Sequence, residues 1–298
     1  MLKMLLAVCL LGVGGVAQAD GSAALSQADG SCQILKWDPK ATVRPAMLIS
    51  SPGKYCLDRD YEVSCSMFEH GCGGEVITIR ADNVDLDMRG HVVTATGTRA
   101  YSGVSGFGKN IRVHHGKFKG VGLGVYLEQA GSQAKAPIYA VPAYPVEKAA
   151  KFLITTLVVE EIDFVDVETA IMLSGSGNRI INNRIQTVLK NKVDRNSHSE
   201  HASQMESQVS IASYGPNLTF SGNTIVQRTD NRGVAAYTLY LRNADNALVA
   251  DNRIRVTGSA DKTVAIGLSN SRAVRLQNNT IQGAETKVEP DALSSESR

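Results

Sequence analysis

The chain has 298 residues, with 31 Lys and Arg against 29 Asp and Glu, for a formal net charge of +2. That near balance argues against a nucleic-acid binder, which neutralises phosphates with a clustered basic excess. Aromatics make up 5% of the chain while Gly numbers 27, a mixture suited to many short strands joined by tight turns.

The chain opens Met1-Leu2-Lys3, continues with an apolar run from Met4 to Val16, and reaches Ala17-Gln18-Ala19 before Asp20. A positive start, an apolar core and a small-residue cleavage site describe a signal peptide over 1–19, so the protein is expected to be periplasmic or secreted. The apolar run is too short to span a bilayer, and no later stretch is apolar enough to do so. Residues 20–75 form a polar lead-in and an N-terminal cap that holds Cys32, Cys56, Cys65 and Cys72. An even number of cysteines in an exported chain implies two disulfides. Three pairings exist, the most local being Cys32 with Cys56 and Cys65 with Cys72. Zinc is disfavoured there because no C-x-x-C pair occurs.

Residues 76–284 carry an internal repeat: two apolar residues two apart, a polar pair, Asn or Gly, one further residue, then a closing Ile or Phe. Copies read Ile111-Arg-Val113-His-His-Gly116-Lys-Phe118, Leu218-Thr-Phe220-Ser-Gly-Asn223-Thr-Ile225, Ala247-Leu-Val249-Ala-Asp-Asn252-Arg-Ile254 and Val274-Arg-Leu276-Gln-Asn-Asn279-Thr-Ile281. Shorter or looser copies end at Phe164 and Ile185. Apolar residues two apart share one face of a strand, and a single strand cannot bury that face alone. Stacked coils about 4.8 Å apart close a tube around it, which predicts an all-β right-handed parallel β-helix. The closing residues at 118, 164, 185, 225, 254 and 281 leave two wide gaps, from 118 to 164 and from 185 to 225, that fit either double coils or single coils with insertions. The Asn or Gly before the closing residue is expected at a bend with positive φ, with Asn side chains bonding along their column. Gly131 to Lys151, rich in Pro and Tyr, and Lys190 to Gln208, with His198 and His201, should loop out of the stack. The polar tail 285–298 is expected to be disordered.

The phrases Ala170-Ile-Met-Leu-Ser-Gly-Ser-Gly-Asn-Arg-Ile-Ile-Asn-Asn-Arg-Ile185 and Ser51-Pro-Gly-Lys-Tyr55, with Ile79 to Gly90, resemble the pectate-lyase-like superfamily. Within it they are most similar to the periplasmic branch of nitrous-oxide-reductase maturation proteins and carbohydrate-binding β-helix repeats. The resemblance implies a polysaccharide, usually acidic, lying along one outer sheet, with lyase or epimerase chemistry in some members. The Asn-Thr-Asp and Gly-His-Asp phrases of polygalacturonases and the Asp-Pro-His-Asp phrase of mannuronan epimerases do not occur.

Lyase or epimerase chemistry needs a partner for the sugar carboxylate and a group that moves the C5 proton. Arg112, His114 and His115 supply a fixed cation and two imidazoles on one coil and are the catalytic candidates, with Lys117 and Lys119 as substrate-binding candidates. The same residues also read as a solvated basic edge. Tyr240, between Leu239 and Leu241, is expected to face outward and could stack on a sugar. Asp194, His198, Glu200 and His201 could gather a metal, and Glu160, Glu161, Asp163, Asp166 and Glu168 could carry calcium as a cofactor. The leading function is binding of an acidic polysaccharide, with lyase or epimerase activity open. The alternative is a non-catalytic scaffold for a protein partner. Mapping of the unreduced exported protein by mass spectrometry should find no free thiol; four free cysteines would remove the disulfide-bonded cap.

Overall fold

The computed structural model describes residues 32–37, 47–64, 74–96, 101–129, 152–190 and 207–297. They form 23 strands in one continuous parallel ladder, so the fold is a parallel β-helix. The chain visits three faces in turn. Sheet I comprises β2 (Met47–Ile49), β5 (Gly74–Arg80), β8 (Tyr101–Phe107), β10 (Leu123–Glu128), β12 (Thr169–Ser174) and β15 (Ser207–Tyr214), followed by the second halves of β17 (Thr224–Arg242) and β19 (Arg253–Ser269), then β22 (Thr286–Pro290).

Sheet II runs from β1 (Gln33–Ile34) through β3 (Gly53–Cys56), β6 (Val84–Asp87) and the first halves of β9 (Ile111–Lys119) and β11 (Val158–Val167). It continues in β13 (Arg179–Ile181), β16 (Thr219–Ser221), β18 (Leu248–Ala250), β20 (Val274–Gln277) and β23 (Glu296–Ser297). Sheet III takes β4 (Tyr61–Ser64), β7 (Val92–Thr96), the second halves of β9 and β11, β14 (Arg184–Lys190), the first halves of β17 and β19, and β21 (Thr280–Gln282).

The closing residues of the repeat stand in one column. Val93, Phe118, Phe164, Ile185, Ile225, Ile254 and Ile281 are successive register partners in sheet III. Both wide gaps are therefore single coils with insertions, since Phe118 pairs directly with Phe164 and Ile185 with Ile225. The Phe118 and Phe164 rings stack with centroids 5.7 Å apart. They fit because Gly103 and Gly124 lie against them; a Cβ at either would come within 2.4 Å of a ring carbon.

One detail of the repeat lies a residue away from where the sequence placed it. Positive φ falls on Asn182, Gly222, Asp251 and Asn278, directly before the repeated asparagines. Asn183, Asn223 and Asn252 instead turn their amides inward and are buried. Asn183 Nδ2 donates to Asn223 Oδ1 at 3.0 Å, Asn223 Nδ2 to Asn252 Oδ1 at 3.0 Å, and Asn252 Nδ2 to Asn279 Oδ1 at 2.9 Å. Each of these three Nδ2 groups also donates to a backbone carbonyl, of Val159, Ile180 or Phe220. The Oδ1 atoms of Asn223, Asn252 and Asn279 each accept a second bond, from the backbone N–H of the preceding asparagine. The bend needs a residue that tolerates the left-handed region, whereas the ladder needs a short amide just beyond it.

The ends of the chain differ from expectation. Residues read as a cap already form coils: β1 to β4 pair with later strands, and Leu35, Ile49, Tyr55 and Val63 join the core. The disulfide Cys32–Cys56 is present with Cα atoms 5.8 Å apart, while Cys65 and Cys72 lie outside the described residues, as do the signal peptide and the Gly131 to Lys151 segment. The tail expected to be disordered adds β22 and β23 to the stack. Its Thr-Lys-Val-Glu alternation turns Val288 against the core end. Among the described residues no helix is long and apolar enough to cross a membrane.

Replacing Asn252 by Leu should lower stability by about 2–4 kcal/mol, because amides and carbonyls on both neighbouring coils lose partners. Thr224→Ala, exposed at the equivalent bend one coil earlier, should cost under about 0.5 kcal/mol. Equal denaturation midpoints for the two variants would remove the ladder as a stabilising element.

Candidate functional site

The residues singled out in the sequence sit on three different faces. Arg112 and His114 alternate with the buried Ile111 and Val113 and so stand on the outer side of sheet II. His115, with φ of 53°, makes the corner. Lys117 and Lys119 follow the corner and belong to sheet III. Tyr240 stands on sheet I and is partly buried.

On sheet II the cluster is carboxylate-rich. Register places Asp85 beside Arg112 and a column of Asp87, His114 and Glu160 next to it. Arg112 Nε donates to Glu160 Oε1 at 2.5 Å, and Arg112 Nη1 lies 3.7 Å from Asp85 Oδ1. His114 is 4% exposed although it lies on the outer side. His114 Nε2 lies 2.9 Å from Asp85 Oδ1, and the hydrogen bond holds the Asp85 carboxyl below its usual range against the opposing effect of burial. His115 Nε2 lies 2.6 Å from Glu161 Oε2; Glu161 has φ of 54° at the same corner of the next coil. The two Nδ1 atoms face each other at 2.7 Å, with Asp87 Oδ1 3.5 Å from that of His115.

This geometry does not suit the catalytic role expected of Arg112, His114 and His115. Arg112 is already held by two carboxylates, and the Nε2 of each histidine faces a carboxylate of its own. Capture of a sugar carboxylate would have to displace these pairs inside a locally anionic surround. The calcium expectation on the 160–168 stretch also changes. Glu160 pairs with Arg112, Glu161 with His115, and Asp163 with Arg184 at 3.8 Å, so these side chains diverge. Among the described residues, metal-ligating groups converge at Asp87, His114 and His115. The loop with His198 and His201 lies outside the described residues.

Tyr240 has company that sequence spacing did not fully bring out. Thr238 and Leu239 are both buried, which breaks the strict alternation and brings Tyr237 out beside Tyr240. The two rings meet edge to face at 5.5 Å, and Gly267 leaves them room, since a Cβ there would come within 2.6 Å of Tyr237. With Glu289, Pro290 and Asp291 they line a hollow of about 150 Å³. Tyr237 donates to Glu289 Oε2 at 3.4 Å, and burial pushes its phenol up to about 12. Lys262 Nζ pairs with the other oxygen of Glu289 at 2.5 Å.

Sheet III carries the cations. Lys117, Asp163, Arg184, Thr224, Arg253 and Thr280 form one outward column; Gln186, Val226, Arg255 and Gln282 stand beside it, while Lys119 pairs with Val165 on the far side of a register shift. Arg184, Arg228, Arg253 and Arg255 were missed in the sequence. Their signal was available: Arg184 and Arg253 directly precede a closing Ile of the repeat, and that column faces outward.

No protein-family model matches the chain, and no curated protein matches it in sequence. Among solved structures the chain is similar to the A-module of a mannuronan C-5 epimerase from Azotobacter vinelandii. The identity is 12%, over 83% of this chain and 91% of that one, and the TM-score is 0.18. At that score the likeness adds nothing to the strand pairings, which define a parallel β-helix by themselves.

Asp85→Asn should reveal how the sheet II cluster is held. The folded-state pKa of Asp85 is lowered, so its stabilising effect is complete above the ordinary carboxylate value of about 3.9 and fades as pH falls through the lower folded value. Wild type and Asp85→Asn should therefore differ in denaturation midpoint at pH 6 and converge in strong acid. A difference that does not change with pH would contradict the assignment.

Proposed function

We propose that this is an exported β-helix protein that binds an acidic polysaccharide, with the polymer lying along the outer face of sheet III. The observation that supports this reading is the cation column of that sheet. Lys117, Arg184 and Arg253 occupy alternate coils of one column, with Lys119 two residues beyond Lys117 and Arg255 two residues beyond Arg253 on the same sheet. At about 4.8 Å per coil the repeat between alternate cations is roughly 10 Å, a ladder of charge suited to an extended polyanion. Asp163 offsets part of it through its approach to Arg184. Thr224, Gln186, Thr280 and Gln282 fill intervening outward positions and offer hydrogen bonds to sugar hydroxyls.

The reading is one of binding. Arg112, His114 and His115 are on or behind the neighbouring corner and bonded to their own carboxylates. Exposed ion pairs each contribute little, and it is their number along a polymer that sums to useful affinity.

Titration calorimetry against a panel of acidic and neutral polysaccharides tests the proposal. Acidic polymers should bind, and more weakly as salt rises. Arg253→Ala with Arg255→Ala should weaken binding by roughly 2- to 10-fold, while Tyr240→Ala should not change it. Unaltered binding in the arginine double variant, or a preference for neutral glycans, would rule out sheet III as the surface.

A further inference from the structure

The imidazole pair on sheet II has a second reading that does not depend on any glycan. Both Nε2 atoms face carboxylates, His114 towards Asp85 at 2.9 Å and His115 towards Glu161 at 2.6 Å. An ionised carboxylate only accepts, so the ring protons belong on the Nε2 atoms. Both Nδ1 lone pairs then point at one another across 2.7 Å, which is repulsive unless something electropositive lies between or beside them. Asp87 Oδ1 closes the triangle at 3.5 Å from one Nδ1 and 3.9 Å from the other.

We propose that Asp87, His114 and His115 bind one divalent first-row transition metal ion of the zinc class through Oδ1 and the two Nδ1 atoms. Four-coordinate zinc, with bonds of about 2.0–2.2 Å to nitrogen and oxygen, separates its ligand atoms by roughly 3.3–3.5 Å. The three separations here bracket that range, and a small outward swing of the exposed His115 opens the shortest. Asp85 and Glu161 act as positioning residues: a carboxylate on the far nitrogen fixes the tautomer and raises the basicity of the ligating one. Two nitrogen donors favour such an ion over calcium or magnesium, which take oxygen. The backbone builds the triangle. Asp87 and His114 are register partners on adjacent coils, and the left-handed turn at His115 folds its ring back beside that of His114. His115 and Asp87 are partly exposed, so the fourth position opens outward to water or an external ligand.

The test uses the full chain, stripped with chelator and titrated with Co²⁺ and Zn²⁺. Wild type should take up one equivalent that depends on this triangle, with the intense visible absorption of low-coordinate Co²⁺ displaced by added Zn²⁺. His115→Asn suits the corner because Asn tolerates positive φ, and Asp87→Asn keeps the side-chain shape. Each should weaken uptake at least 10-fold while circular dichroism stays that of wild type. Excess Ca²⁺ should not displace Co²⁺. A wild-type protein that takes up no Co²⁺, or folded variants that take it up as tightly as wild type, would overturn the site.

Discussion

Everything in this molecule depends on successive coils lying in register. A strand of the repeat has one apolar edge and a full set of backbone donors and acceptors, and neither is satisfied until the next coil stacks on it. Register is held from inside by columns such as Phe118–Phe164–Ile185–Ile225 and by the asparagine ladder from Asn183 to Asn279. A slip of one residue would turn each inward column to solvent. It would also leave the buried amides without partners, which is the costlier failure in a dry interior.

That same register makes the outer surface. Once inward positions are fixed, the residues between them are displayed in straight columns, and chemistry scattered along the sequence becomes contiguous. Arg184 and Arg253 are far apart in the chain yet share a column with Lys117. Asp87 and His114, distant in sequence, are adjacent register partners. Conversely, neighbours in sequence can part company. The run from Arg112 to Lys119 reads as one basic cluster, but the turn at His115 sends its two halves to different faces.

The fold was legible because its code is local and repeated. The closing Ile or Phe, the pair of apolar residues two apart and the Asn all fall within one short phrase, and the structure places each class in its own column. The insertions in the two wide gaps were not separable from extra coils by spacing alone, and the pairing of Phe118 with Phe164 decides between them. Positive φ and the asparagine were merged into one position because each demands a small polar residue, and the two demands fall on neighbours. The tail was misread because polar composition hides a short alternation that is enough for an end strand. At the candidate sites, Arg112, His114 and His115 are legible, but their partners are not: Asp85, Glu160 and Glu161 reach them only through stacking, and those carboxylates change a basic patch into a balanced or anionic one.

The proposed function rests on cations on alternate coils of sheet III acting together on one extended polyanion. Affinity for uronic-acid oligomers of increasing length tests this most directly. The column from Lys117 to Arg253 crosses four coil steps, roughly 19 Å at about 4.8 Å each. Affinity should climb with each added sugar until the oligomer spans that distance and then level off. Affinity that is independent of length from the shortest oligomer upward would contradict a shared surface and point to a single compact site elsewhere.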